Sequence, residues 1–501
     1  MAGAAAVLMR ASEGRAGERG TVVRVRNGLV RGCQNDGIRA FTGIPYAQAP
    51  VGPLRFRPPR PVRPWVGELD ATGPARVPPQ DTDPALPQTG LMSEDCLQLN
   101  VWAPEEPASH PVFVWVYGGG NVTGSVSLPV YDGATFARDG AVCVSGNYRL
   151  GALGFLELGT ITGSKDEGSS LNALRDLILV LEWVRDNIAA FGGDPNRITL
   201  AGQSAGAWNC ATLMAMPAAR GLFHQSILAS GGADTVYTPE RAHEFAREFV
   251  ARLGGKERLR VCSVQELLTA QREAQADAST LIAFRPMIDG RELPASPIES
   301  LQRGCARSIT TMIGHTRDEL RYFFSPANAE GSGSQKALMH LNSSTRSAMS
   351  STYERIYPEL TPGERMLRTL SADVIGIPSL RIAEAQTRAG GTVYRYELHY
   401  TIPNGPFGTF SPHGIDVPLI FERVDTAFAH TVFGYSGVDL PMAEQHHANW
   451  ISFIKTGVPG AHLSPWPAFA LFDRRTMMIG DNCTVASDPD QAERMAWESV
   501  I

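Results

Sequence analysis

Short apolar runs, each bounded by glycine or polar turn residues, recur along the chain and predict buried strands. They cover residues 97–102, 112–117, 141–145, 198–201, 226–229 and 310–314. Continuous apolar runs of this length are typical of strands that are covered on both faces. Nearer the N-terminus, the alternating segment 21–30 leads through a polar turn to residues 38–41, which predicts an antiparallel hairpin.

Helical periodicity lies between these runs. The clearest pattern covers residues 169–190, where aliphatic side chains share one stripe and two glycines follow its end. Residues 239–253 and 442–456 predict two further amphipathic helices, whereas the proline-rich segment 50–87 indicates an irregular surface wrap. Residues 328–351, which contain a Gly-Ser-Gly-Ser stretch, predict a loop or lid margin. Alternating strands and helices favour a mostly parallel sheet with helices on both faces.

Composition narrows the possible functions. The 501 residues are 43% hydrophobic, which supports a large core, and the 45 basic against 51 acidic residues give a net charge of −6 without a basic stripe. This charge pattern argues against a nucleic-acid partner. No run reaches the roughly 18 apolar residues that a spanning helix needs, so we expect no membrane anchor. Seven scattered cysteines without zinc spacing predict free thiols in a reducing compartment, so a cytoplasmic protein is expected, with secretion as the alternative. No metal or other cofactor is expected.

The segment Gly202-Gln203-Ser204-Ala205-Gly206 directly follows a predicted strand and precedes a helical stretch. This G-x-S-x-G pattern permits a strained strand-to-helix turn that raises the serine hydroxyl above the sheet, as a nucleophile requires. The five-residue pattern alone fits an ordinary turn with a capping serine equally well.

Three consecutive glycines, Gly118 to Gly120, end another apolar strand upstream. They allow backbone N–H groups to point toward one spot, and an acyl-transfer enzyme needs such donors because negative charge develops on the carbonyl oxygen. A glycine turn without function is the alternative. The order of the two motifs is that of an α/β-hydrolase and favours catalysis.

Further motifs accompany these two over nearly the whole chain. They are GIPYA at residues 43–47, PLRF at 53–56, SEDCLQLNVW at 93–102, NYRLG at 147–151, FGGDP at 191–195 and WP at 466–467. With them, the chain resembles the type-B carboxylesterases, the cholinesterase and para-nitrobenzyl-esterase branch of the α/β-hydrolases. The resemblance implies an α/β-hydrolase fold, with a large, mostly parallel central sheet, helices on both faces and helical insertions that form a gorge or cap.

The resemblance also implies a domain organisation. Residues 1–20 are expected to form a disordered N-terminal segment, and residues 21–501 a single catalytic domain. Cap or regulatory insertions are expected at roughly residues 235–300 and 320–390.

A catalytic triad follows from the same resemblance. Ser204 would be the nucleophile, His413 in the loop 411–418 the base, and Glu319 in the segment 314–319 the acid that orients the base. Asp318 is the rival acid, with a solvated loop charge as its other interpretation.

The resemblance supplies several supporting residues. Gly119, Gly120 and Ala205 would donate the N–H groups of the oxyanion hole. Ser230 would support the acid, unless it is an ordinary turn serine. Glu94 and Arg149 match a buried structural ion pair, and we expect them to be architectural.

The chain departs from the family in three places, one of which is Tyr117, where many relatives carry a histidine and the change is tolerated. Cys96 matches a cysteine that is disulfide-bonded in secreted animal members, but the expected partner region, residues 72–79, has no cysteine, so no disulfide is expected. Asn121 stands where an aromatic residue is common, and its glycosylation sequon is interpreted as accidental, because a glycan there would block the pocket. Candidate pocket walls, which core packing explains equally well, are Asn121, Trp208, Phe284, Phe323, Phe324 and Phe407.

These implications define the expected function. The protein would be a serine hydrolase, monomeric or homodimeric, that cleaves small, neutral and fairly apolar carboxylic esters through an acyl-enzyme. Cleavage of amides, carbamates, lactones or thioesters stays open. A non-catalytic cholinesterase-like binding protein is the alternative from a different class, and the complete triad argues against it.

Overall fold

The computed structural model describes residues 19–83, 88–106, 108–278, 280–329, 331, 338, 340–460 and 465–498. Within them, thirteen strands form one sheet with the order β1-β2-β3-β5-β7-β6-β8-β9-β10-β11-β12-β13, and β4 pairs with β2. The strands are β1 Arg19–Val25, β2 Gly28–Asn35, β3 Ile38–Pro45, β4 Glu68–Asp70, β5 Gln98–Pro104, β6 His110–Val116, β7 Val142–Gly146, β8 Gly193–Gln203, β9 Gln225–Ala229, β10 Thr310–Thr316, β11 Val393–Leu398, β12 Arg475–Ile479 and β13 Thr484–Ser487.

The sheet is parallel at five of the six predicted apolar runs, whereas the run 97–102 forms β5, which pairs antiparallel with both of its neighbours. Strands β7, β6, β8, β9, β10, β11 and β12 are neighbours in that order and pair in parallel. The N-terminal strands β1, β2, β3 and β5 pair antiparallel, so the expected hairpin is one part of a larger antiparallel edge. Each predicted run coincides with a strand, because a continuous apolar segment must be covered on both faces of the sheet.

Helices cover both faces. They are α1 Ala134–Arg138, α2 Gly151–Phe155, α3 Gly159–Thr162, α4 Asn172–Asn187, α5 Ala205–Ala215, α6 Pro239–Arg252, α7 Val264–Asp277, α8 Pro297–Gln302, α9 Ser343–Ile356, α10 Pro362–Ser371, α11 Ile377–Arg388, α12 Asp416–Ile420, α13 Leu440–Thr456 and α14 Gln491–Glu498. The three predicted helices correspond to α4, α6 and α13. Helix α4 is shorter than predicted because 3-10 turns, Ser169–Leu171 and Ile188–Phe191, flank it.

Two sequence expectations about irregular segments need correction. The stretch 328–351, expected to be a loop, contains most of α9, which begins after the cap Asn342, whose side chain accepts a hydrogen bond from the Thr345 N–H at 2.8 Å. Residues 330, 332–337 and 339 lie outside the described residues. Of the N-terminal segment expected to be disordered, residues 1–18 are also outside, whereas Arg19 and Gly20 belong to β1. A helix cap in the first segment and a strand partner in the second thus give regular structure despite the polar composition.

Aromatic packing holds β6 in the centre of the core. The Phe113 ring stacks on Phe136 at 4.2 Å between centroids, and the Trp115 ring meets the edge of Phe421 at 5.1 Å. All four side chains are buried. Such packing fixes the carboxyl end of β6, from which the glycine loop starts, because well-packed cores resist displacement of their members.

The expected ion pair between Glu94 and Arg149 is wrong. Arg149 makes a bidentate pair with Asp176 of α4, with N···O distances of 2.8 and 2.6 Å, and both side chains are buried. Glu94 pairs instead with Arg55 at 2.8 Å. A buried arginine needs a carboxylate partner, but only the packing of α4 decides which carboxylate it is.

All seven cysteines are free thiols, as the sequence predicted. Cys96 is completely buried, and burial raises the pKa of its thiol above the ordinary value.

Candidate active site

Ser204 occupies a strained turn between β8 and α5. Its backbone has φ 57° and ψ −129°, a combination that non-glycine residues rarely adopt. The flanking glycines make the turn possible, because a Cβ atom at Gly206 would lie 2.0 Å from the Val116 carbonyl oxygen. A Cβ atom at Gly202 would lie 2.5 Å from the carbonyl carbon of Gly206. Both glycines of the G-x-S-x-G pattern therefore meet a steric requirement at this turn.

The three-glycine loop after β6 lies against this turn. Gly119 and Gly120 have positive φ angles of 107° and 61°, and a Cβ atom at Gly118 would lie 3.0 Å from the Ser204 Cβ. Among the residues that the structure describes, none accepts a hydrogen bond from the N–H of Gly119 or Gly120. Ala205 is the first residue of α5, where backbone N–H groups have no acceptor within the helix. These N–H groups are available to a ligand oxygen.

Glu319 lies in the loop after β10 and is completely buried. Its Oε1 accepts hydrogen bonds from Ser230 Oγ at 2.6 Å and from the Thr316 N–H at 2.8 Å, and its Oε2 lies 2.5 Å from His413 Nδ1. Burial acts to raise the pKa of Glu319, but the charge interaction with His413 and the hydrogen bonds hold that pKa below its ordinary value. The carboxylate is thus kept ionised despite its burial.

His413 connects Glu319 to the end of β8. Because an ionised carboxylate only accepts, the close contact with Glu319 assigns a proton to His413 Nδ1. The other ring nitrogen, Nε2, lies 3.2 Å from the side-chain nitrogen of Gln203. In the described part of the chain no hydrogen bond joins Ser204 Oγ to His413, although both residues line the same cavity.

Asp318, the rival acid, does not touch the imidazole. Its Oδ2 accepts a hydrogen bond from the Ser411 N–H at 2.9 Å and pairs with Arg317 Nε at 2.8 Å, while its own N–H donates to the Ser411 carbonyl. The interpretation as a solvated loop charge is therefore wrong. Asp318 joins the loop of Glu319 to the loop of His413 and contributes to their relative position.

A largely apolar cavity of about 370 Å³ opens above Ser204 and His413. Its apolar walls are Val122, Leu128, Tyr131, Trp208, Leu281, Ile282, Leu320, Tyr322, Phe323, Val374, Ile375, Val417, Phe428 and Phe433. Among its described lining residues, Asp83 is the only side chain with a formal charge besides the titratable His413. A cavity of this size and composition suits a small organic molecule with apolar groups.

Only two of the six candidate wall residues, Trp208 and Phe323, line this cavity. Phe284, Phe324 and Phe407 do not, and Phe284 is instead completely buried in the core. Asn121 is turned away, because its amide donates to the Phe284 carbonyl and accepts from Asn209, both at 3.0 Å. The Asn121 side chain is thus buried in a hydrogen-bond network that lies outside the cavity lining.

Sequence reasoning missed several wall residues. Tyr131, Tyr322, Phe428 and Phe433 come from separate segments without a shared motif, so no local signal marks them. Gln203 lies inside the G-x-S-x-G motif, and its position next to Ser204 was the available signal.

Two clusters have the spacing of metal-binding groups in the described residues. They are Asp139, Glu422 and His447, and His315, Glu397 and Asp490. Arg138 donates hydrogen bonds to both carboxylates of the first cluster, and Arg395 donates to Asp490 in the second at 2.8 Å. Neither cluster borders the cavity, and their arginine partners fit ion-pair networks better than a cation.

None of the helices in the described part of the chain combines the length and apolar character needed to cross a bilayer.

Comparisons with known proteins agree with the geometry. The sequence model of the carboxylesterase family matches residues 19–497. The chain is 35% identical to the para-nitrobenzyl esterase of Bacillus subtilis (strain 168), over 94% of this chain and 97% of that protein. It is 31% identical to the cholinesterase of Mus musculus, over 91% of this chain and 84% of that protein. A crystal structure of the Geobacillus stearothermophilus carboxylesterase matches with a TM-score of 0.84 and 34% identity, covering 95% of this chain and all of that one.

Proposed function

The chain belongs to the carboxylesterase family and is a carboxylic ester hydrolase; from this premise we propose that Ser204 is its nucleophile. The observation that carries the proposal is the strained turn at Ser204, which raises the hydroxyl at the base of the cavity. Attack on an ester carbonyl would give an acyl-enzyme, which water then hydrolyses.

In this proposal His413 is the general base and Glu319 orients it. His413 Nε2 takes the Ser204 proton during attack and returns it to the departing alcohol. Glu319 keeps the proton on Nδ1 and stabilises the charged imidazole, for which its ionised state and its 2.5 Å contact are suited. Ser230 and the Thr316 N–H hold the Glu319 carboxylate in place.

The N–H groups of Gly119, Gly120 and Ala205 form the proposed oxyanion hole. Free donors on preformed backbone need no rearrangement when charge develops on the carbonyl oxygen. Both positive φ angles support this role, because they turn the loop so that Gly119 and Gly120 line the cavity.

The proposed substrate is a small, neutral and fairly apolar ester. The two arginines near the matched sequence segments, Arg285 and Arg317, do not border the cavity and so cannot hold an anionic substrate there. Arg285 donates to the Ile282 carbonyl, and Arg317 pairs with Asp318. An anionic substrate would lack a positively charged partner among the lining residues that are described. Residues from both expected cap insertions, such as Leu281 and Val374, form walls, which supports a cap function for those segments.

Ser204→Ala tests the proposal. The variant should fold normally and lose roughly 10³-fold or more in kcat on a p-nitrophenyl ester, the scale expected when a triad member is removed. A fluorophosphonate probe should label Ser204 in the native protein, as located by peptide mass spectrometry, and should not label the variant.

Ser226→Ala is the matched control, because Ser226 is buried in β9 and does not line the cavity. This control should keep both turnover and labelling. Turnover at the native rate in Ser204→Ala, or a probe mass on another serine, would refute the proposal and leave the family assignment intact.

A further inference from the structure

The Gln203 side chain contacts His413 Nε2, the nitrogen that acts as the general base in the proposed mechanism. The side chain is buried, and its amide nitrogen lies 3.2 Å from His413 Nε2. Because Glu319 assigns the ring proton to Nδ1, the Nε2 atom of the neutral ring carries a lone pair and accepts the hydrogen bond from the Gln203 amide.

Gln203 and Ser204 therefore compete for one acceptor. The neutral imidazole offers a single lone pair in the ring plane at Nε2, and a strong hydrogen bond needs alignment with it. The structure shows the Gln203 contact and no hydrogen bond from Ser204 Oγ to the ring. In the proposed mechanism Ser204 must bond to the same nitrogen that Gln203 contacts, and each can use it only when the other does not.

We propose that Gln203 is a positioning residue that occupies the Nε2 lone pair in the resting enzyme and yields it to Ser204 when substrate enters. The proposal rests on the proposed function, since it presumes that His413 is the base. Gln203 lines the cavity together with Ser204 and His413, so its side chain borders open space into which it can turn.

An amide and a carboxylate would behave differently at this position. An amide donates to the neutral ring, whereas a carboxylate can only accept and therefore favours the protonated ring. The other groups that act on His413 are Glu319, Asp416 and two aromatic rings, Phe323 at 5.4 Å and Tyr322 at 6.3 Å between centroids. They stay in place in variants of residue 203, so a difference between those variants reports on this residue.

The first variant, Gln203→Glu, tests the hydrogen bond through pH. We expect the acid limb of kcat/KM for p-nitrophenyl acetate to move to higher pH by about one unit, because the protonated ring is stabilised. The control is Gln271→Glu, a buried glutamine that does not line the cavity, and its limb should stay where the native limb lies.

The second variant, Gln203→Met, keeps the length of the side chain and removes the donor. Since it frees the lone pair for Ser204, labelling by a small fluorophosphonate at pH 8 should become about fivefold faster, the worth of one neutral hydrogen bond. This measurement keeps the proposal testable if Gln203→Glu does not fold.

Two results would overturn the inference. One is an unmoved acid limb in Gln203→Glu together with unchanged labelling in Gln203→Met. The other is slower labelling in Gln203→Met with a lowered melting temperature, which would indicate a purely structural role. Ser204→Ala distinguishes a failure of this inference from a failure of the proposed function. If Ser204→Ala is inactive while the Gln203 variants give either of these results, only the role of Gln203 is refuted. If Ser204→Ala is active, the proposed mechanism itself is refuted.

Discussion

The base of the cavity and its walls are built in different ways. At the base, Glu319 and His413 are fixed by polar contacts of 2.5 to 2.8 Å, and the backbone around Ser204 leaves no room for a Cβ at Gly206. The walls are apolar side chains from distant segments. Two of these segments are π-helical turns, Ala372–Gly376 and Ala429–Phe433, which re-aim side chains within a helix.

This difference separates chemistry from selectivity. Catalysis at the base of the cavity depends on directional contacts, so a single changed atom there should abolish function. The walls depend on shape and apolar area, for which a substitution costs only a fraction of the binding energy.

The largest effect is expected at the base of the cavity. Glu319→Gln keeps the shape of the side chain but removes the charge that stabilises the protonated His413, so kcat should fall roughly 10²- to 10⁴-fold with little change in KM. Steady-state kinetics on a p-nitrophenyl ester, with the melting temperature as a check of folding, measures this. A loss below tenfold in a folded variant would remove Glu319 from the triad.

A pH-dependent effect on stability is expected just beneath the base. Asp416 is completely buried. Burial, followed by the charge of Glu319, raises the pKa of Asp416 to about 7. The folded protein thus retains a proton that the unfolded chain releases near pH 4, so this group destabilises the fold increasingly as pH rises from about 4 to 7.

Asp416→Asn removes this cost because asparagine does not ionise. The gain in unfolding free energy should grow between pH 5 and pH 8 and reach at most ~4 kcal/mol. Urea unfolding at the two pH values measures it. An equal change at both values would show that Asp416 does not titrate in this range.

A smaller effect is expected in the walls. Phe323 lines the cavity with its ring centroid 5.4 Å from that of His413. Phe323→Leu should change the ratio of kcat/KM between p-nitrophenyl octanoate and acetate by roughly threefold to tenfold, with kcat on acetate nearly unchanged. Phe472→Leu, at a residue that is 86% exposed and outside the cavity lining, is the control. A hundredfold loss of kcat/KM on both esters would show that Phe323 acts in catalysis, like the residues at the base of the cavity.

No effect is expected from reduction. Because all seven cysteines are free, the melting temperature should be the same with and without dithiothreitol. A drop equivalent to the roughly 2–5 kcal/mol of a native disulfide would show that a bridge forms in solution.

The sequence was sufficient where the constraint is local. The apolar runs predicted the buried strands, five of them parallel and one, β5, antiparallel, since each must be covered on both faces. The glycines around Ser204 marked a turn whose close backbone contacts exclude a side chain, and the family resemblance supplied positions for Glu319 and His413, which the fold brings within 2.5 Å of each other.

Only the tertiary structure decided which distant groups meet. The resemblance paired Arg149 with Glu94, but the packing of α4 gives it Asp176. Asn121 was a candidate wall residue, but its side chain bonds to Asn209 outside the cavity lining. The contact between Gln203 and His413, 210 residues apart, has no local signal beyond the adjacency of Gln203 to Ser204. Local sterics and periodicity act through neighbours in the chain and can be predicted from the sequence. Partner choice depends on how separate segments pack, which no single segment encodes.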